Sequence, residues 1–290
     1  NTIGYARRTA VKKKYVSSVL TKPNGFTRGI EGPACDKDGV LYAVNYERQG
    51  TIGSVSLDGE SNVFIDLPTD SIGNGIRFHS SGDMLIADYT QHNILRVDMK
   101  TKAISVFSHE PRMNQPNDIA IAKNDTVYAS DPDWANDSGQ IWKIDNQGKP
   151  ECLETNMGTT NGIEISPDEK ILYVNESLQR NVWAYDILPS GKIENKRLLI
   201  KFPDFNMDGM RCDIQGNIYI TRHGKGTIAK LSPTGEVLLE IDLKGQDPSN
   251  LTFGGPDGCT CYVTIQDRGN IESFQVEHPG RSWALHTGHL

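Results

Sequence analysis

Apolar and polar residues along this chain come in short alternating runs, and no helical period interrupts them. Six runs share one pattern: GVLYAVN, DMLIADY, TVYASD, ILYVNE, NIYITR and CYVTIQ. Their matched central positions are Tyr42, Leu85, Tyr128, Tyr173, Tyr219 and Tyr262, at spacings of 43, 43, 45, 46 and 43 residues. A second run follows each (GTIGSVSLD, HNILRVD, GQIWKID, RNVWAYD, GTIAKLS, GNIESFQ), and a third follows in the first five units (NVFIDL, AISVF, ECLE, RLLIKF, VLLEIDL). The runs are rich in β-branched and aromatic residues and are separated by Gly, Asp, Asn and Pro, as strands and tight turns require. With the run that opens each unit, this predicts four strands per repeat.

Radial repetition of four-stranded sheets makes a propeller. The expected fold class is therefore all-β, a six-bladed β-propeller, with residues 1–290 forming a single domain without a linker. The sixth unit has no fourth strand after NIESFQVEHPG, whereas YVSSVL (Tyr15–Leu20) has no unit of its own. That segment is expected to complete the last blade and close the ring, hiding sheet edges that would otherwise pair with other chains.

Composition narrows the function classes. A net charge of −7 and a pI near 5.5 oppose a phosphate backbone, so no nucleic acid is expected as a partner. No apolar run approaches the ~20 residues of a membrane span, so no membrane is expected either. The five cysteines include no zinc-type CxxC pair, and Cys259 and Cys261 would project from one face of a strand. They read as reduced structural thiols, which leans towards a cytoplasmic location. The opening NTIGYARRTAVKKKYV is basic but has no apolar core, so it is not an intact signal peptide. A periplasmic or secreted protein whose leader has been removed stays open. VKKKY reads as a solvated segment, and His286 and His289 in HTGHL as part of a loose C-terminal stretch. The N-x-S/T matches at Asn124, Asn136, Asn175 and Asn250 read as chance. Oligomeric state leaves no periodic mark.

Stepping back 11 or 12 residues from each matched position gives Glu31, Asn74, Asn117, Asn161, Asp208 and Asn250. All are polar, and four precede Gly. Any one of them could be a turn residue bonding nearby backbone, but a turn does not call for Glu31 in the same slot. In a propeller the first strand of each blade lines the central channel, so equivalent positions meet on one ring. Two carboxylates with several amide oxygens form a hard-oxygen set. It suits Ca²⁺, Mg²⁺ or Mn²⁺ and accepts Zn²⁺ less selectively. Two negative charges balance one divalent cation.

The stretches IEGPACDKDGVLYAVN, QPNDIAIAKNDTVYASDP, TNGIEISPDEKILYVNES, MDGMRCDIQGNIYIT and SNLTFGG together resemble the regucalcin/gluconolactonase/luciferin-regenerating-enzyme family. The likeness runs from about Gly29 to Arg281, with its motifs in order at blade spacing. It implies a six-bladed propeller with one divalent metal in the channel, Ca²⁺ foremost, held by Glu31, Asn161 and Asp208. Asn117 would be a further ligand or substrate contact. It also implies hydrolysis of a small-molecule lactone, with Asp208 both ligand and general base. Such a cation can polarise the ester carbonyl and lower the pKa of water. No GxSxG elbow or Ser-His-Asp set suggests a serine route. Two alternatives remain: another ester or phosphotriester hydrolase on the same site, and a non-catalytic calcium-binding propeller, against which the two carboxylates speak.

The ends of the second strands and the loops after them are expected to wall the pocket: residues 45–50, 88–93, 130–139, 175–181, 221–226 and 265–269. Asn74 on the ring is a substrate-contact candidate. In the loops so are Arg222 and His223, which could meet a carboxylate or hydroxyl. Asp131, whose SDP resembles the TDP of bacterial gluconolactonases, is a candidate to touch the substrate or to support the residues that do. Trp134 reads equally as a rim residue. Where many sugar lactonases of the family carry a substrate-contacting Arg, two residues before the Asn of PND, this chain has Gln115. Gln can still hydrogen bond but brings no charge, which leaves room for a less polar lactone or ester.

Overall fold

The computed structural model describes residues 13–290. The basic opening segment therefore lies, up to residue 12, outside the described residues. Blade 1 consists of Phe26–Cys35, Leu41–Tyr46, Thr51–Val55 and Ser61–Asp66, and blade 2 of Gly73–Phe78, Met84–Asp88, Asn93–Val97 and Ile104–His109. Blade 3 consists of Ile119–Ile121, Val127–Asp133, Ser138–Ile144 and Pro150–Met157, and blade 4 of Thr160–Ile165, Ile171–Glu176, Asn181–Ile187 and Ile193–Lys201. Blade 5 is Asn206–Cys212, Ile218–His223, Thr227–Leu231 and Val237–Asp242. Pro248–Gly254, Thr260–Ile265 and Asn270–Gln275 form the inner three strands of blade 6. Within each blade, consecutive strands are antiparallel neighbours. The six first strands touch one another in cyclic order, blade 6 against blade 1, so they surround one channel.

The fourth strand of blade 6 is Ser18–Val19, paired antiparallel with Asn270–Gln275 through Ser18↔Ser273 and Val19↔Glu272. The ring is thus closed by the segment that had no unit of its own. Six apolar clusters, one in each gap between neighbouring blades, hold it together. A strand residue faces one neighbour and the next faces the other. Val127 and Ala129 pack towards blade 2 and Tyr128 towards blade 4. That two-sided burial is why inner runs such as LYAVNY are almost continuously apolar.

One expectation fails at the C-terminal side. HTGHL is not loose: Arg281–Thr287 forms an α-helix. It packs at the channel end where the turns between first and second strands lie. Gly280 bridges Asp213, and Ile214 N donates to Pro279 O at 2.9 Å. The buried Arg281 reaches inward, donating to Ile121 O at 2.9 Å and to Glu169 at 2.7 Å. Leu285 joins the core between blades 2 and 3, and the His286 ring meets Phe78 edge-on at 5.8 Å. Burial, with Arg77 and Arg281 nearby, pushes His286 down to about 4. Its four polar residues in seven hide this helix from a reading by hydrophobic period.

Candidate metal centre and pocket

The ring residues occupy places where the first strand leaves regular pairing with the second. Register shifts fall between Gly73 and Ile76, Thr160 and Ile163, and Met207 and Met210, and on either side of Glu31. Such bulges re-aim side chains, here into the channel mouth. The Gly that follows a ring residue serves the same end by admitting the next blade. A Cβ on Gly75 would sit 2.2 Å from Asp118 Oδ1, and one on Gly209 would sit 1.9 Å from Asn250 Oδ1. Asn175 clamps blades 4 and 5, accepting from Gly162 N at 3.0 Å and donating to Asp208 O at 2.8 Å. It is fully buried, as is Asn250, so neither is open to glycosylation.

Glu31, Asn74, Asn117, Asn161 and Asp208 line one pocket of about 320 Å³. Asn250 is the exception on the ring. It lies one layer deeper, donating to Asp118 Oδ2 at 3.2 Å and accepting from Leu251 N at 2.8 Å. Three buried oxygens in the pocket have no hydrogen-bond partner: Asn117 Oδ1, Asn161 Oδ1 and Asp208 Oδ1. Buried polar atoms are normally paired, so three orphans converging beside Glu31 require an explanation. Burial, with Asp118 nearby, pushes Glu31 up to about 8. Burial and Glu31 hold Asp208 well above the usual carboxylate range. Each of these buried carboxylates disfavours the ionised form of the other. A divalent cation would satisfy the orphan oxygens and both charges at once, so the donor set fits one. Among the described residues no three His, Cys, Asp or Glu side chains cluster as a metal site; the set depends on its two amides.

Beneath this layer is a second, which the repeat did not reveal. Arg211 donates to both oxygens of Asp118, at 2.7 and 3.1 Å, with both side chains buried. Burial alone would lower the Arg211 pKa, but Asp118 holds it above its usual value. Arg77 stands 3.5 Å from Glu164 and is pushed down to about 10 by burial and by Arg211. The signal was present in Asp118, which follows its ring residue where four other units have Gly.

Residues 30–267 match the model of the SMP-30/Gluconolactonase/LRE-like region. The chain belongs to that family. Gluconolactonase of Zymomonas mobilis is 30% identical over 217 residues, which span 66% of this chain but only 60% of that protein. Regucalcin of Xenopus laevis is 25% identical over 250 residues, covering 68% of this chain and 84% of that one. In structure, the calcium-binding protein regucalcin of Agrobacterium tumefaciens superposes with a TM-score of 0.77 at 19% identity, over 91% of this chain and 97% of that one. That last likeness is one of fold.

Of the loops expected to wall this family member's pocket, four contribute: Asn45 and Gln49, Tyr89, Trp134, and Gln266. Residues 175–181 and 221–226 contribute none. Asp131 is fully buried and spends its carboxylate on four donors: Asn114 N, Gln115 N, Gln140 Nε2 and Trp142 Nε1. It holds the 114–117 segment in place and does not line the pocket. Burial raises its pKa, which those bonds partly offset. Arg222 turns away, bonding Asp204 at 2.9 Å and lying 4.0 Å over the Phe202 ring. His223 stands behind Gln266, 3.0 Å from its Oε1. Gln115 sits behind the wall, accepting from Trp134 N at 3.3 Å. All five cysteines are free thiols. Among the described residues no helix is long and apolar enough to cross a membrane.

Proposed function

We propose that the protein is a metal-dependent lactonase that opens a small-molecule lactone to its hydroxy acid. The observation that carries this reading is the set of three partnerless oxygens, on Asn117, Asn161 and Asp208, beside Glu31 in one pocket. The names of the relatives in Zymomonas and Agrobacterium support the substrate class and Ca²⁺, and the all-oxygen donor set admits Mg²⁺, Mn²⁺ or Zn²⁺ as substitutes. A divalent cation bound there polarises the carbonyl and lowers the pKa of neighbouring water. Glu31 and Asp208 supply the balancing charge, and Asn161 and Asn117 hold neutral oxygens in place. Asp208 takes a proton from the attacking water as its oxygen bonds the carbonyl carbon. The ring C–O bond breaks, and the proton returns to the departing alkoxide. Asn74 and the pocket wall orient the substrate.

The test is pH-stat titration of a lactone panel with chelator-stripped protein refilled with each cation. Turnover is expected only in refilled samples, and Asp208→Ala is expected to lower it by about 10³-fold or more. Cation binding without turnover on any lactone would refute the reading in favour of another ester or a binding role.

A further inference from the structure

The pocket wall is uncharged. Apart from Glu31 and Asp208, no charged side chain lines it among the described residues. The two cationic candidates in the loops are committed elsewhere, Arg222 to Asp204 and His223 behind Gln266. Several polar atoms of the wall are already paired within the protein. Asn45 donates to Gly29 O at 2.8 Å and accepts from Gly50 N at 3.0 Å. Asn74 Nδ2 donates to Asn117 O at 2.9 Å. Gln266 Oε1 is matched by His223. The wall also holds the exposed amide of Gln49 and two half-buried aromatic side chains, Tyr89 and Trp134. Gln115 accepts from Trp134 N with its side-chain oxygen at 3.3 Å.

A polyhydroxylated ring gives up hydrogen bonds to water on entering, and each hydroxyl left unmatched costs about 1–3 kcal/mol. The aromatic faces of Tyr89 and Trp134 offer no partner to match them. An apolar ring or chain loses nothing of that kind and gains contact with two aromatic faces. An anionic substituent would meet two carboxylates and no cationic side chain among the lining residues. Resting on the lactone reading, we infer that the substrate is an uncharged lactone bearing an apolar ring or chain. That group lies against Trp134 and Tyr89. A volume of about 320 Å³ is at the small end for ligand pockets and suits a lactone with one such substituent.

Calorimetric binding of unreactive lactams to the Ca²⁺-loaded protein tests this without requiring turnover. A phenyl-substituted δ-lactam is expected to bind at least about tenfold more tightly than gluconolactam, and a phosphorylated gluconolactam not at all. Trp134→Ala should lower the phenyl-lactam affinity about tenfold, while Trp134→Phe should retain it within about threefold. Equal or tighter binding of either polar lactam, failure of every lactam to bind, or an unchanged preference in Trp134→Ala overturns the assignment. A protein that opens gluconolactone best while binding it best keeps the lactonase reading and loses this one. A protein that prefers the phenyl-lactam yet opens no lactone keeps the apolar pocket and loses the hydrolytic reading.

Discussion

Glu31 and Asp208 are the residues at which charge decides most. With no cation beside them, burial and mutual repulsion favour the protonated forms, Glu31 up to about 8. An acid whose pKa is raised on folding contributes stability that is full below its unfolded value, near 4.5, and is lost as pH rises through the folded one. Chelator-treated protein should therefore lose roughly 5–10 °C in Tm between pH 5 and pH 8.5. Ca²⁺ should abolish that slope, and Glu31→Gln should flatten it in the stripped protein. A stripped protein whose Tm is level over this range would contradict the pairing. These ring residues were legible because a 43-residue phase repeats them six times, as no single Asn could. Asp118 and Arg211 were not, because their pairing spans 93 positions and recurs nowhere. The side chain of Arg222 was misjudged for a related reason. A loop's place in the repeat gives its position at the mouth but not whether a side chain turns in or out.

Among the elements, strands were read well and the helix was not. Strand alternation survives in sequence because each blade packs on two neighbours, and every inner strand must satisfy both faces. Arg281–Thr287 has only seven residues, four of them polar, so it leaves no period to detect. Its anchor is Arg281, whose guanidinium meets Ile121 O and Glu169 below the charge layer of Arg77 and Glu164. Arg281→Ala removes that anchor and strands a buried carbonyl. The expected cost is about 2–3 kcal/mol, or roughly 4–10 °C in Tm. Because the helix lies at the far end of the channel from Glu31 and Asp208, kcat and KM at 25 °C should stay within about twofold. A variant with wild-type Tm, or one that loses Ca²⁺ affinity in proportion to its stability, would show that the helix is not the separate plug its packing indicates.

At the scale of the molecule, the closure of blade 6 links the two ends of the described chain. Ser18–Val19 supplies its outer strand, Ser17 Oγ donates to the buried Glu272 at 2.8 Å, and Ile271 N donates to Thr21 Oγ1 at 2.8 Å. Without that segment the edge of Asn270–Gln275 is bare, and an unpaired edge templates pairing with other chains. If the ring is one cooperative unit, the damage cannot stay in blade 6. The apolar cluster between blades 6 and 1 also underlies the first strand that carries Glu31, so the metal centre should weaken with it. A chain beginning at residue 21 should therefore melt about 10 °C or more below the full chain. Fluorescence and Ca²⁺ release should then report one shared transition, and sizing chromatography should show concentration-dependent association. A synthetic peptide of residues 13–22 added in excess should raise the Tm again, since it binds only the folded ring. A truncated chain that melts like the parent and stays unassociated would show that the ring closes without this strand. Two separated transitions would show that the blades do not act as the single domain their repeat implies.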